Sequence, residues 1–183
     1  MDNGESSYRR FLDGDETAFA CIMDDYRLGL IFFINQYLHD IHAAEDVAID
    51  VFTYVLMYPR RYNFMVSLKT YLYVLGRSRA LNYLRHRKVI DTLPLDSAET
   101  ISDDEVDLEA QIVSDERKRA VRYALDSISK DMSEAVYLVY FEELSYKEAA
   151  KIMKKSPKQI DNLLYRAKVE LRAILGKDGE LLL

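Results

Sequence analysis

Leu144-Ser145-Tyr146-Lys147-Glu148-Ala149-Ala150-Lys151-Ile152-Met153, then Lys154-Lys155, then Ser156-Pro157-Lys158-Gln159-Ile160-Asp161-Asn162-Leu163-Leu164-Tyr165-Arg166-Ala167 decide how the C-terminal part of the chain folds. Ser145 and Glu148 have the spacing of a capping box, so a short helix starts at residue 145. Lys154-Lys155 make a tight connection. Ser156 is a good N-cap, and Pro157 is the residue best tolerated at a first helical position. From there Ile160, Leu163, Leu164, Ala167, Leu171 and Ile174 keep a helical period on one face, opposite Lys158, Gln159, Asp161, Asn162, Tyr165, Arg166 and Lys168. A short helix, a tight turn and a longer polar-faced helix describe a helix-turn-helix, whose second helix lies in the DNA major groove. Gln159 and Asn162 have side chains that bond two base-edge atoms at once, while Ser156, Lys158 and Arg166 suit phosphate or guanine. An ordinary αα-hairpin with its polar face in water fits the same pattern, and Asp161 on the reading face speaks slightly against DNA.

Outward from this stretch the pattern stays helical. Asp15-Glu16-Thr17 marks a helix start, followed by Phe19, Ile22, Met23, Tyr26, Leu30, Phe33, Ile34 and Tyr37 at helical spacing. A second helix runs from Ala43 to Met57 and stops at Pro59. Ser67 caps a third that continues through Lys88, Glu109 to Ile128 reads as a fourth, and Ser133 to Phe141 as an apolar, buried one. No segment alternates with a strand-like period, so the fold class is all-α: two small helical domains joined by an acidic flexible linker. The boundaries fall at 1–90, 91–116 and 117–183, because Leu93 to Glu105 loses helical periodicity and gathers like charge.

Charge is more informative by segment than in total. The 183 residues carry 25 Lys and Arg against 31 Asp and Glu, a net charge of -6. Residues 60–90 nevertheless hold Arg60, Arg61, Lys69, Arg77, Arg79, Arg85, Arg87 and Lys88 and no acid, whereas 91–116 hold acids and no base. Solvated helix faces mix signs to gain ion pairs, so an acid-free basic block points to a polyanion. Tyr58, Tyr62, Phe64, Tyr71, Tyr73 and Tyr83 are interleaved with those bases. Stacking faces within a positive groove are what unpaired bases require, although tyrosines on helices are also commonly half-buried in a core.

Other classes are excluded on composition. One cysteine, Cys21, allows neither a disulfide framework nor a cysteine-built zinc site. His39, His42 and His86 form no ligand pair with it, so no metal or cofactor is expected. Six Gly and three Pro are too few for a turn-rich β protein or a glycine-rich phosphate loop. No nucleophile motif is present, so no enzyme is expected. The apolar run Leu28 to Ile34 is far short of the roughly 20 residues that span a bilayer, and acidic Met1 to Glu5 begins no signal peptide. A cytoplasmic protein with no membrane insertion is expected.

Taken in order, these segments resemble the extracytoplasmic-function group of bacterial sigma factors, covering about residues 15 to 90 and 117 to 175. Ala44-Glu45-Asp46-Val47-Ala48-Ile49-Asp50-Val51-Phe52 is similar to the family segment AEDlvQetF of region 2, and the resemblance assigns Asp46, Asp50, Val51 and Phe52 to docking on the RNA polymerase core. Leu68 to Arg85 is similar to FraWLyriarNlalDhlR, the helix that contacts and opens the -10 element. That implies promoter contacts, duplex and melted strand, by Arg60, Arg61, Lys69, Tyr71, Arg77, Ser78, Asn82 and Arg85. Glu143 to Ala150 is similar to the GlSyeEIA opening of region 4, and Ser156 to Ala167 to its -35 recognition helix. Ser78 stands where the family often has Asn, Asn82 where it often has Asp, and Tyr71 replaces a common Trp while keeping an aromatic face. Asp161 and Leu163 occupy positions where Lys and Arg are frequent, which implies a weaker hold on phosphates. The resemblance further implies an anti-sigma partner and an acidic linker running near the polymerase active-site cleft. The other readings are a one-component helix-turn-helix regulator that binds duplex DNA without polymerase, and an interaction protein whose polar faces meet only protein.

Overall fold

Asp15 and Asp40 each turn a carboxylate back onto the first turn of the helix that follows, accepting from the backbone N–H of Thr17 at 3.1 Å and of Ala43 at 3.0 Å. These caps open α2 (Glu16–Leu38) and α3 (Ile41–Met57), which with α1 (Glu5–Leu12) and α4 (Leu68–Asp91) form an N-terminal bundle. The computed structural model describes residues 4–91 and 116–175; the acidic linker expected at 91–116 lies outside them except for its end positions, Asp91 and Glu116, which are helical. The C-terminal bundle comprises α5 (Glu116–Ser127), α6 (Lys130–Val136), a π-helical turn (Tyr137–Phe141), α7 (Tyr146–Met153) and α8 (Pro157–Leu175). Among the described residues there is no strand.

The expected helix starts at residues 15, 67, 145 and 156 are all present. α1 was not foreseen: its apolar content is only Tyr8, Phe11 and Leu12, yet Tyr8 is fully buried and its hydroxyl donates to the Pro59 carbonyl at 2.8 Å. The expected apolar helix over 133–141 begins instead at Lys130, behind an N-cap at Ser129, and loosens into the π turn.

α2 is the spine of the first bundle, packed by α1, α3 and α4 around Ile22, Leu30, Phe33, Ile34, Val51, Leu68 and Leu72. Burying each such side chain contributes about 1.5–3 kcal/mol. Gly76 lets α4 lie close on α2, since a Cβ there would come within 2.8 Å of Leu30 Cδ1. In the second bundle α8 rests on α6, α7 and α5 through Ile160, Leu164, Ala167 and Leu171. The two bundles touch: α7 packs on α4, and the core runs on from Phe33 and Tyr73 to Tyr137.

Candidate nucleic-acid interface

The turn of the helix-turn-helix is closed by its own backbone. Lys154 adopts left-handed geometry (φ 55), and the Lys155 N–H donates to the Ala150 carbonyl at 2.9 Å, ending α7 after two turns. Ser145 and Glu148 form the expected capping box at the other end of α7. α8 starts with a second reciprocal cap: Ser156 N–H donates to Gln159 Oε1 at 2.7 Å, and Gln159 N–H to Ser156 Oγ at 3.2 Å. Gln159, expected as a base reader, thus has its carbonyl oxygen committed and only its amide NH2 to offer. Lys158, Asn162 and Arg166 are exposed on the outward face. Lys155, Gln159, Asn162, Leu163 and Arg166 line a shallow hollow of about 190 Å³ there. Tyr165, expected on that face but not as a DNA contact, is 71% exposed there.

α4 divides the middle basic block between two faces. At 3.6 residues per turn, Tyr71, Ser78, Asn82 and Arg85 fall on one side, and Lys69, Tyr73 and Arg77 on the other. Ser78, Asn82 and Arg85 are exposed, with Arg85 donating to Asn82 Oδ1 at 3.2 Å; Arg60 and Arg61 are exposed on the 3-10 turn (Pro59–Arg61). The other face meets the C-terminal bundle. Lys69 Nζ sits 2.8 Å from Glu142 Oε2 and donates to the Glu142 carbonyl at 2.7 Å. Arg77 Nε donates to Glu134 Oε1 at 2.8 Å. Burial works against the Arg77 charge, but the hydrogen bond and charge of Glu134 outweigh it and hold the guanidinium above its ordinary range. Lys69 and Arg77 are therefore not free for nucleic acid in this arrangement, contrary to the expectation for them.

The aromatic platform also needs correcting. Tyr73 is fully buried beside Glu142, and burial drives its hydroxyl pKa far up. Tyr62 is buried too, donating to the Val66 carbonyl at 2.7 Å and packing on Tyr8, Phe64 and Tyr71 with ring centroids 4.6–5.2 Å apart. Desolvation lifts the Tyr8 hydroxyl in that cluster to about 12. Tyr71 is half-buried, and only Tyr58 and Tyr83 present substantial ring surface. Aromatic spacing along the basic block records core packing more than a stacking surface.

On α3, Asp46 and Asp50 are exposed and continue into an exposed apolar stripe through Ile49, Leu56 and Met57. Val51 and Phe52, expected as docking contacts, are 0% and 2% exposed on the inner face. Here they hold α3 onto the core, so the side chains that this helix presents outward are others.

Residues 118–171, which span α5 to α8 up to Leu171, match the profile described as Sigma-70, region 4. The chain is 27% identical over 163 residues to the ECF RNA polymerase sigma factor SigM of Bacillus subtilis, covering 89% of this chain and 95% of that one. It is 27% identical over 165 residues to the RNA polymerase sigma-H factor of Pseudomonas aeruginosa, covering 85% and 84%. Over most of its length the chain is thus similar to sigma factors of the extracytoplasmic-function group, and its C-terminal bundle matches region 4 of the sigma-70 family. The sigma-factor fold extends over both bundles. The structure of CnrH in complex with the cytosolic domain of CnrY superposes with a TM-score of 0.68 at 18% identity, over 97% of this chain and 99% of that one. The sigma factor RpoE of Bartonella quintana, solved with the anti-sigma factor NepR, superposes at 0.61 and 21% identity, over 86% and 98%. Sigma factors are transcription initiation factors and not classical enzymes. Among the described residues of this chain, no helix is long and apolar enough to cross a membrane, and no group of three or more His, Cys, Asp or Glu is placed to hold a metal.

Proposed function

We propose that the chain directs the RNA polymerase core to promoters and starts transcription by binding the -35 element with α8 and melting the -10 element with the α4 side of the first bundle. The observation that carries this reading is the pairing, in one sigma-like chain, of an outward polar face on a helix-turn-helix with an exposed cationic surface on a separate bundle. Lys158, Asn162, Arg166 and the amide NH2 of Gln159 face the -35 duplex, with Ser156 holding the start of the helix. Arg60, Arg61, Ser78, Asn82 and Arg85 face the -10 region, and Tyr71 adds a partly exposed ring. Asp46 and Asp50, with the apolar stripe beside them, dock on polymerase. The domains run 1–90 and 117–183 with 91–116 between them, and the protein works in the cytoplasm under the control of an anti-sigma factor.

A one-component regulator would pair a helix-turn-helix with an unrelated sensing half. The curated sigma factors align over 85–89% of this chain, first bundle included, which favours the sigma reading. In-vitro transcription with core polymerase, with and without the chain, tests it. Specific initiation only when the chain is present is expected; tight, specific duplex binding without polymerase, and no initiation with it, would refute it.

A further inference from the structure

The hollow on the outer face of α8 has an apolar floor and a rim made mostly of donors. Leu163 is the one wholly apolar side chain that lines it, and it is half-buried, so it forms the floor. No cation fills the space, although Lys and Arg are frequent at this position in the sigma factors that the chain resembles. Two of the polar groups around it are tied elsewhere. Lys155 Nζ sits 2.9 Å from Asp131 Oδ2, which draws its ammonium toward α6 and leaves its methylene stem as a wall. The Gln159 side-chain oxygen accepts from the Ser156 N–H at 2.7 Å. An amide held in this way donates through its NH2 but cannot make the paired donor and acceptor contact by which glutamine reads adenine. Arg166 also only donates, so Asn162 alone brings both a donor and an acceptor to the rim.

That combination discriminates among the bases. In the major groove thymine presents a C5-methyl beside its O4 acceptor, guanine presents acceptors without a methyl, and cytosine and adenine each present an amino donor. A methyl group calls for an apolar surface and O4 for a donor; the Leu163 floor and the Gln159 NH2 are that pair. A cytosine amino group would meet the Gln159 NH2 donor to donor and leave both unpaired. We propose that the hollow is a thymine subsite: Leu163 receives the C5-methyl of one thymine in the -35 element, and Gln159 donates to its O4. The inference rests on the -35 reading of α8 above, and adds which base the helix selects and through which side chains. Leu163 is then a specificity residue, and the cation that it replaces would have stood in the place of the methyl group.

The test changes the DNA by a single methyl group. Holoenzyme made from the full chain and core polymerase first selects transcribed promoters from a pool randomised at the -35 and -10 regions. In a selected promoter, each -35 thymine on either strand is then exchanged, one at a time, for deoxyuridine, which removes the C5-methyl and keeps O4 and the base pair. One such exchange should weaken holoenzyme binding about fourfold, the worth of one buried methyl group. With Leu163→Ala the same exchange should lose its effect, and Leu163→Asn, similar in size but polar, should behave alike. Selected promoters without a -35 thymine overturn the proposal, as do deoxyuridine exchanges that all leave parent binding unchanged. An exchange that costs the Leu163 variants as much as the parent overturns it too. Each of these outcomes leaves the -35 reading standing. Failure of the parent holoenzyme to select any -35 sequence from the pool overturns that reading, and the subsite with it.

Discussion

Replacing Gln159 by alanine should lower two quantities that Asn162→Ala separates. The alanine keeps the Gln159 N–H to Ser156 Oγ bond but loses the 2.7 Å bond from Ser156 N–H to the side-chain oxygen. A side chain to backbone bond at an exposed helix end contributes about 0.5–1 kcal/mol, which in a chain of this size is a fall of roughly 1–4 °C in melting temperature. If the free NH2 of Gln159 also touches a base edge, binding to the matched promoter loses a further 1–3 kcal/mol or so, roughly five- to 150-fold. Asn162 is exposed and takes no part in the cap, so Asn162→Ala should leave the melt unchanged and lose only binding. Gln159→Glu keeps the reciprocal cap but loses the amide donor, so it should melt like the parent and still lose selectivity. Circular-dichroism melts of the free chain, with holoenzyme titrations on matched and scrambled -35 duplexes, read both quantities. A Gln159→Ala melt identical to the parent refutes the cap, and equal losses on matched and scrambled duplexes refute base reading.

Charge reversal at Asp46 or Asp50 should abolish capture of the polymerase core with the helical spectrum intact; undiminished capture would count against the docking face. Phe52→Ala, by contrast, should cost about 3–5 kcal/mol of folding stability in a denaturant titration, because the ring is buried among core side chains. Burial alone would raise the Glu148 carboxyl, but hydrogen bonds from Ser145, Ser67 and Thr70 outweigh it and hold its pKa below the ordinary 4.5. A lowered folded-state pKa stabilises the fold fully above the unfolded value and is lost as pH falls through the folded one. Glu148→Gln should therefore flatten the loss of stability below about pH 4.5, and an unaltered acid limb would contradict this.

What could be read from sequence was local. The caps at Asp15, Ser67, Ser145 and Ser156 each need only a polar side chain a few residues from a free N–H, and all of them form. The Ser156-x-x-Gln159 spacing carried the second capping box as plainly as Ser145-x-x-Glu148 carried the first, yet the glutamine suggested a base contact instead. Val51 and Phe52 show the limit of a motif: the resemblance assigns a helix to docking, but only the turn of that helix against α2 decides which residues face outward. Lys69 and Arg77 show a different limit. Their partners, Glu142 and Glu134, stand 73 and 57 positions along the chain, beyond any local pattern. The absence of nearby acids pointed to an external polyanion, whereas Arg77 and Lys69 find their negative partners, Glu134 and Glu142, within the molecule.

Gly29 lies where the two bundles meet, its carbonyl accepting from the Tyr137 hydroxyl at 3.1 Å. A Cβ there would stand 2.6 Å from the Tyr73 hydroxyl and 2.7 Å from a Glu142 carboxylate oxygen, with Tyr73 itself buried and short of room to retreat. A single methyl group at this position acts as a doorstop. Alanine at position 29 should therefore loosen the packing of the two bundles while leaving the exposed faces of α3 and α8 as they are.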